Sequence, residues 1–192
     1  MLFPLCVSHL TAQSTLITGD VAITPYPSGT NSQMTLTKSI DSSQGRFGLF
    51  SIQIERKSTS QFLFSYAGVA EEYALFAVNS GVVIDAAYIT STTPIVSNNG
   101  RDPGSSLETF FLNQSRYFGY WDQRGFHPED NYGWALITRT GSGLQVSSSA
   151  TALGGGIVVG TLTQVPEPTS IILLSLGACL FGIRQYRLNS VS

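Results

Sequence analysis

Apolar and polar residues alternate with a period of two along most of this chain. In residues 50–55, for example, every second residue is Phe or Ile, and Ser, Gln and Glu lie between them. Because successive side chains of a β-strand point to opposite faces of a sheet, this alternation predicts half-buried antiparallel strands. Segments with alternating or continuously apolar patterns are 16–23, 34–40, 50–55, 62–66, 73–78, 82–89, 109–112, 117–121, 132–138, 144–146 and 156–162.

The spacing of these segments predicts the fold class. Turn-forming residues separate them, most densely at 97–106, and Asn79-Ser-Gly81 predicts a hairpin between two of them. No amphipathic helical run of a dozen residues occurs, although residues 147–153 have the composition of one or two helical turns. Roughly nine to eleven short strands with no fixed repeat are typical of an antiparallel sandwich. We therefore predict an all-β, jelly-roll-like β-sandwich over residues 13–164, followed by a single hydrophobic helix.

That helix belongs to a C-terminal segment, residues 165–192, with a different pattern. Val165-Pro166-Glu167-Pro168 precedes fifteen uncharged residues from Thr169 to Ile183, and Arg184 and Arg187 follow. The prolines hold the backbone extended around Glu167. The run is apolar around its whole circumference, which is typical of a membrane helix, although its helical length of roughly 22 Å is short of the ~30 Å hydrocarbon core. The arginines would stay with cytoplasmic headgroups and leave the sandwich on the far side.

This order of motif, hydrophobic run and terminal arginines resembles the PEP-CTERM sorting signal of exported proteins in Gram-negative bacteria. The resemblance implies that a membrane-embedded cysteine protease, an exosortase, recognises Val165, Pro166, Glu167 and Pro168 and cuts near them. It also implies that helix 169–183 is a transient stop-transfer anchor in the lipid bilayer, and that the cut protein reaches the cell surface or extracellular matrix. An ordinary C-terminal anchor and a buried core helix are the alternatives.

The other end of the chain also fits export. Residues 1–12 contain an apolar patch and then small residues, with Ala12 at a cleavage position, as at the end of a secretory signal peptide. The segment is short and lacks a positively charged start, so we expect a truncated signal, with a first strand as the alternative. Cys6 and Cys179 lie in the two terminal segments. The sandwich therefore has no disulfide and no cysteine nucleophile.

Charge excludes one class of partner. Only 11% of the residues are charged, against about 25% in typical soluble proteins. Residues 13–164 contain eight Lys and Arg and eleven Asp and Glu, a net charge of −3. No face can be strongly basic, so we predict no nucleic-acid partner.

Metal ligands are scarce in the sandwich. His127 is the single histidine of residues 13–164, and a zinc site usually needs more nitrogen or sulfur ligands than one imidazole. We therefore predict no metal and no cofactor. Calcium, which needs only oxygen ligands, is the alternative. Its ligands would be either Asn98, Asn99 and Asp102, or Asp122 and Asp130.

Catalytic groupings are equally hard to find. Glu71 and Glu72 are adjacent and would face opposite sides of a strand. No Gly-x-Ser-x-Gly nucleophile elbow is present. We therefore predict that the protein is not an enzyme, with a membrane-tethered hydrolase using His127 or an acidic pair as the least favoured alternative.

Aromatic residues are concentrated between positions 117 and 134. Their spacing assigns Phe118 with Tyr120, and Tyr132 with Trp134, to the core. Tyr117 and Trp121 then point to the opposite face and are the candidates for exposed glycan contacts, because aromatic faces stack on sugar rings. The sequence thus predicts an exported, non-catalytic structural or adhesive protein. The alternative is a carbohydrate-binding module attached to exopolysaccharide. The aromatic residues are Tyr117, Phe118, Tyr120, Trp121, Phe126, Tyr132 and Trp134.

Overall fold

The structure is a computed structural model that describes residues 16–25, 33–38, 51–66, 72–97, 104–123 and 130–165. These residues form short strands and one helix, α1, at Ala86–Ser91. The strands are β1 Leu16–Thr18, β2 Val21–Pro25, β3 Gln33–Lys38, β4 Ser51–Arg56, β5 Gln61–Tyr66, β6 Glu72–Val78, β7 Val83–Ile84, β8 Val96–Ser97, β9 Ser105–Thr109, β10 Ser115–Gln123, β11 Asn131–Thr140, β12 Gly143–Leu153, β13 Gly156–Val158 and β14 Gln164–Val165.

Several predictions fall outside these ranges. The signal segment 1–12, the residues Pro166 to Pro168, the helix 169–183 and the two arginines at 184 and 187 lie beyond the described residues. Among the residues that are described, no helix has the length and apolar character needed to cross a membrane.

The strands form antiparallel sheets, which confirms the predicted all-β sandwich. A central six-stranded sheet has the order β1-β12-β11-β10-β6-β8, and a five-stranded sheet has the order β2-β3-β4-β5-β9. A small three-stranded sheet has the order β14-β13-β7. The five-stranded sheet is a meander through β2 to β5, in contrast to the Greek-key order of a jelly roll.

The five-stranded sheet packs on one face of the central sheet and forms the first core. The alternation in the sequence explains this packing, because Ile52 and Ile54 of β4 point inward and are fully buried. Aromatic rings fill the centre of the core. The ring centroid of Phe118 lies 5.5 Å from that of Phe64 and 5.8 Å from that of Phe110, both in stacked orientations.

The three-stranded sheet and α1 cover the opposite face of the central sheet and form a second core. Ala74 and Phe76 of β6 belong to this core, whereas Tyr73 and Leu75 of the same strand belong to the first. The continuous apolar run in β6 therefore reflects burial on both faces. At Gly119 a Cβ atom would overlap the side chain of Ile84, so glycine permits the small sheet to approach β10.

The segment after β6 differs from its predicted hairpin. Gly81 has the expected positive φ of 84°, but β7 pairs with β13 of the small sheet and not with β6. The predicted strand through Ile89 is helix α1, because the Asp85 side chain caps the helix by accepting a hydrogen bond of 2.8 Å from the Tyr88 backbone N–H. Residues 147–153, predicted as helical turns, belong to β12.

The buried Phe118 on β10 and the exposed Phe111 in the turn before it give a test of the first core. We expect Phe118→Ala to lower the free energy of unfolding by about 3–5 kcal/mol, because a fully buried ring is lost from a packed cluster. Phe111→Ala is the matched control, since 66% of that side chain is exposed, and it should change stability by less than about 0.5 kcal/mol. Urea unfolding of both variants measures the difference; equal effects would contradict the assignment of Phe118 to the core.

Candidate functional site

Val165 is the single residue of the predicted sorting motif within the described ranges. It ends β14, where it pairs with Gly156 of β13, and it is half-buried. β14 lies at the edge of the small sheet. The residue after it, Pro166, has no backbone N–H to donate to a further sheet bond. The Pro-Glu-Pro sequence therefore begins directly after the last described strand.

The aromatic residues assigned to the core by their spacing are buried as expected. Phe118 and Tyr120 lie in the first core, and Tyr132 and Trp134 lie in the second. The indole N–H of Trp134 donates a hydrogen bond of 2.9 Å to the carbonyl oxygen of Thr161. This bond ties β11 to the loop that leads into β14.

Tyr117 points to the second face, as predicted, and is half-buried. Its ring packs edge-on against Trp134, with a centroid distance of 5.7 Å. The same ring lines a groove of about 420 Å³ between the turn after β6 and the start of β10, together with Ser80, Gln114 and Arg116. Tyr117 is thus accessible from solvent at the rim of the small sheet.

Trp121 also points to the second face, but the prediction that it is exposed was wrong. Only 8% of its surface is accessible, because α1 and the small sheet cover this face of the central sheet. The part that remains accessible lines a second groove of about 310 Å³, which we call the Trp121 groove. It is lined by Glu72, Ile89, Thr90, Trp121, Asp130 and Tyr132.

The Trp121 groove combines an aromatic wall with polar groups. Asp130 accepts a hydrogen bond of 3.2 Å from the Tyr132 hydroxyl, and Glu72 is exposed at the rim. Thr90 lies on the outer side of α1, with its hydroxyl directed to the carbonyl oxygens of Ala86 and Ala87. Such a groove can bind a polyhydroxylated ligand through carboxylate acceptors and ring contacts.

A second polar assembly lies inside the first core. We call it the buried polar cluster, and its members are Asp20, Lys38, Tyr120, Asp122, Asn131, Ser149 and Thr151. Lys38 ends β3 and is fully buried. Its Nζ atom lies 2.5 Å from Oδ2 of Asp122, and Nδ2 of Asn131 donates to Oδ1 of the same carboxylate at 2.5 Å. Asp122 and Asn131 are direct cross-strand partners on β10 and β11.

Asp20 forms the other half of the cluster. Its carboxylate accepts hydrogen bonds from the hydroxyls of Thr151 and of Ser149 on β12. Burial raises the pKa of Asp20 above its usual value of 3.8, and the nearby charge of Lys38 lowers it to a smaller extent. Burial also raises the pKa of Tyr120 well above 10.0, with the charges of Asp20 and Asp122 acting in the same direction.

This cluster was not predicted from the sequence, although a signal for it is present. Lys38 lies in the apolar phase of its strand, two residues after the fully buried Leu36. Asp122 has the same relation to Tyr120 and Phe118 on β10. A charged residue at a position that the alternation assigns to the core would have indicated a buried polar pair.

The predicted alternatives for metal binding are distributed over different parts of the chain. Asn98, Asn99, Asp102 and His127 are outside the described residues. Of the calcium pair, Asp122 is held by Lys38 and Asn131, whereas Asp130 lines the Trp121 groove. Within the described ranges, no group of three or more His, Cys, Asp or Glu side chains could hold a metal ion.

The raised pKa of Asp20 predicts a specific pH dependence of stability. Because the folded protein holds this proton to higher pH than the unfolded chain does, stability is lost as the pH rises from 3.8 through the folded pKa. We expect Asp20→Asn to remove this loss. Urea unfolding at increasing pH should therefore show the variant gaining stability relative to the wild type. A difference in unfolding free energy between variant and wild type that stays constant with pH would contradict the raised pKa of Asp20. The titratable groups that face Asp20 are Lys38 on β3 and Tyr120 and Asp122 on β10.

No family model, no curated protein and no solved structure matches the chain.

Proposed function

We propose that the chain is an exported protein of the cell surface or extracellular matrix of a Gram-negative bacterium, with a non-catalytic structural or adhesive role. We further propose that a membrane-embedded exosortase processes its C-terminal segment. The observation that carries this proposal is the order of Pro166-Glu167-Pro168, the uncharged run 169–183 and the arginines at 184 and 187. The PEP-CTERM resemblance of this order supplies the protease and the destination.

The position of the last strand supports the proposal. Val165 ends β14 at the edge of the small sheet, so the sandwich and the proposed membrane helix are joined by a connector of only a few residues. In this arrangement Glu167 lies between the folded domain and the bilayer, where a protease embedded in the membrane can reach it. This β-sandwich is also suited to export, since residues 13–164 contain no cysteine to pair and the domain can fold on its own core.

An adhesive role is supported by exposed apolar side chains beside β9, an edge strand of the five-stranded sheet. Leu107, Phe111 and Leu112 are 50%, 66% and 61% exposed. A strand edge with apolar neighbours is a surface on which a further chain can pair and pack. Leu107 lies on β9, and Phe111 and Leu112 lie in the turn that follows it, whereas β14 belongs to the small sheet.

Processing can be tested with a single substitution. We expect Glu167→Ala to accumulate as an uncut, membrane-associated form in cells that contain an exosortase, because the extended prolines would no longer present a carboxylate for recognition. Thr163→Ala is the control, since Thr163 is exposed just before β14, and it should be cut normally. The measurement is mass spectrometry of the mature C-terminus together with cell fractionation. Normal cutting of Glu167→Ala would refute the proposed signal.

Carbohydrate binding is a second candidate, and the Trp121 groove favours it. The groove is lined by the indole of Trp121 and by two carboxylates, Glu72 and Asp130. Carboxylate oxygens accept hydrogen bonds from sugar hydroxyls, and aromatic surface contacts the apolar face of the ring. A protein delivered to a polysaccharide matrix would use such a groove for attachment.

Filling the groove tests this candidate without disturbing the core. Thr90→Arg places a long side chain on the outer face of α1, and we expect it to abolish binding on an array of bacterial polysaccharide glycans. Thr93→Arg, at an exposed position beyond the helix, should bind as the wild type does. Equal binding by both variants, or none by the wild type, would remove the groove from consideration.

A further inference from the structure

In the buried polar cluster, the Asp122 carboxylate contacts a carboxamide as well as the amine of its ion pair. Lys38 reaches Asp122 from the opposite sheet, so one carboxylate receives the amine on Oδ2 and the Asn131 carboxamide on Oδ1. Both nitrogen groups are therefore held on a single carboxyl group, one on each oxygen. Less than 4% of each of the three residues is accessible to solvent.

This arrangement supplies the requirements of amide formation. An amine and a carboxamide that are held together react with an effective concentration far above that in solution. Nucleophilic attack needs a neutral amine and a proton donor for the carbonyl oxygen. Transfer of one proton from Nζ of Lys38 to Oδ2 of Asp122 creates both at once, with no change in the net charge of the core. Burial excludes water, which would otherwise compete with the amine.

We propose that Lys38 and Asn131 form an intramolecular isopeptide bond, with Asp122 as the proton-transfer group. Nζ of Lys38 attacks Cγ of Asn131 while the protonated Asp122 donates to the carboxamide oxygen of a rotated Asn131 side chain. Asp122 then moves a proton from Nζ to the carboxamide nitrogen. The Cγ–Nδ2 bond then breaks and ammonia leaves, and the carbonyl oxygen returns its proton to Asp122, so that the products are the Nζ–Cγ amide, ammonia and a neutral Asp122. No oxidant or co-reactant is needed.

Asn131 is a better acyl donor in this cluster than either carboxyl group. An ionised carboxylate resists attack by a nucleophile, whereas the carboxamide is neutral and releases ammonia. The Asp20 carboxylate is held by Thr151 and Ser149 on β12. The Tyr120 ring lies 5.1 Å from Nζ of Lys38, and it closes the amine side of the cluster with an apolar wall.

The bond would join β3 of the five-stranded sheet to β11 of the central sheet. It would close a loop of more than ninety residues between positions 38 and 131, and a cross-link of this kind restricts the unfolded chain in the way that a disulfide does. The sandwich has no cysteine with which to build a disulfide. The isopeptide proposal does not depend on the proposed sorting function, because the reaction needs only the folded domain.

The test is the mass of the purified full chain, measured after denaturation. We expect it to be lighter by one ammonia than the sequence requires, and a digest should contain a branched peptide that joins residues 38 and 131. The branched peptide is essential, since a succinimide at another asparagine also loses ammonia. A folded chain of full mass would overturn the proposal. So would a deficit without the branched peptide, or a deficit of one water with Lys38 joined to Asp122.

Variants identify the role of each group. Lys38→Met and Asp122→Asn should both restore the full mass, and circular dichroism checks that Asp122→Asn retains the β-sheet fold. Lys57→Met is the matched control, because Lys57 pairs with Glu55 on the surface at 2.7 Å, and it should keep the deficit. Retention of the branched peptide in Asp122→Asn would overturn the proton-transfer role of Asp122.

Discussion

The structure depends on a central sheet whose two faces are both covered. The five-stranded sheet packs on one face, and the small sheet with α1 packs on the other. Every strand in the middle of the central sheet must therefore present apolar residues on both sides. This constraint explains why the aromatic residues of β10 and β11 are so densely placed. It also explains the position of the groove beside Tyr117 and of the Trp121 groove. Both lie on the second face of the central sheet, at the edge of the small sheet and α1 that cover it.

The same constraint makes the buried polar cluster costly. Lys38 and Asp122 are removed from water, and the loss of hydration of two charges commonly exceeds their mutual attraction. Asn131 reduces this cost by donating a hydrogen bond to Asp122, and Ser149 and Thr151 donate to the other buried carboxylate, Asp20. Conversion of the amine and carboxamide into an amide would remove the charge of Lys38 from the core altogether. The cross-link would thus relieve the desolvation cost as well as join the two sheets.

The strands and the fold class followed from the sequence because alternation is a local property. Ile52 and Ile54 showed their burial through their own spacing, and so did Phe118 and Tyr120. What covers each face is not local. Trp121 is buried by α1, which was predicted as part of a strand, and by the small sheet, whose strands β7 and β13 fall in predicted segments but whose pairing the pattern does not indicate. Short apolar runs also do not separate helix from strand, so the effect of the Asp85 cap on residues 86–91 was missed. The cluster around Lys38 joins residues from both ends of the domain, and no local pattern assembles them.

The end of β14 matters both for folding and for the proposed processing. β14 is an edge strand, and an open edge invites pairing with another chain. Pro166 follows directly and cannot donate the next backbone bond, so it protects the edge whether or not a protease reads the motif. The prolines thus have a structural reason to be present, and their presence alone does not distinguish a sorting signal from a strand terminator. Ending a strand requires no carboxylate, so Glu167 is the informative position for processing.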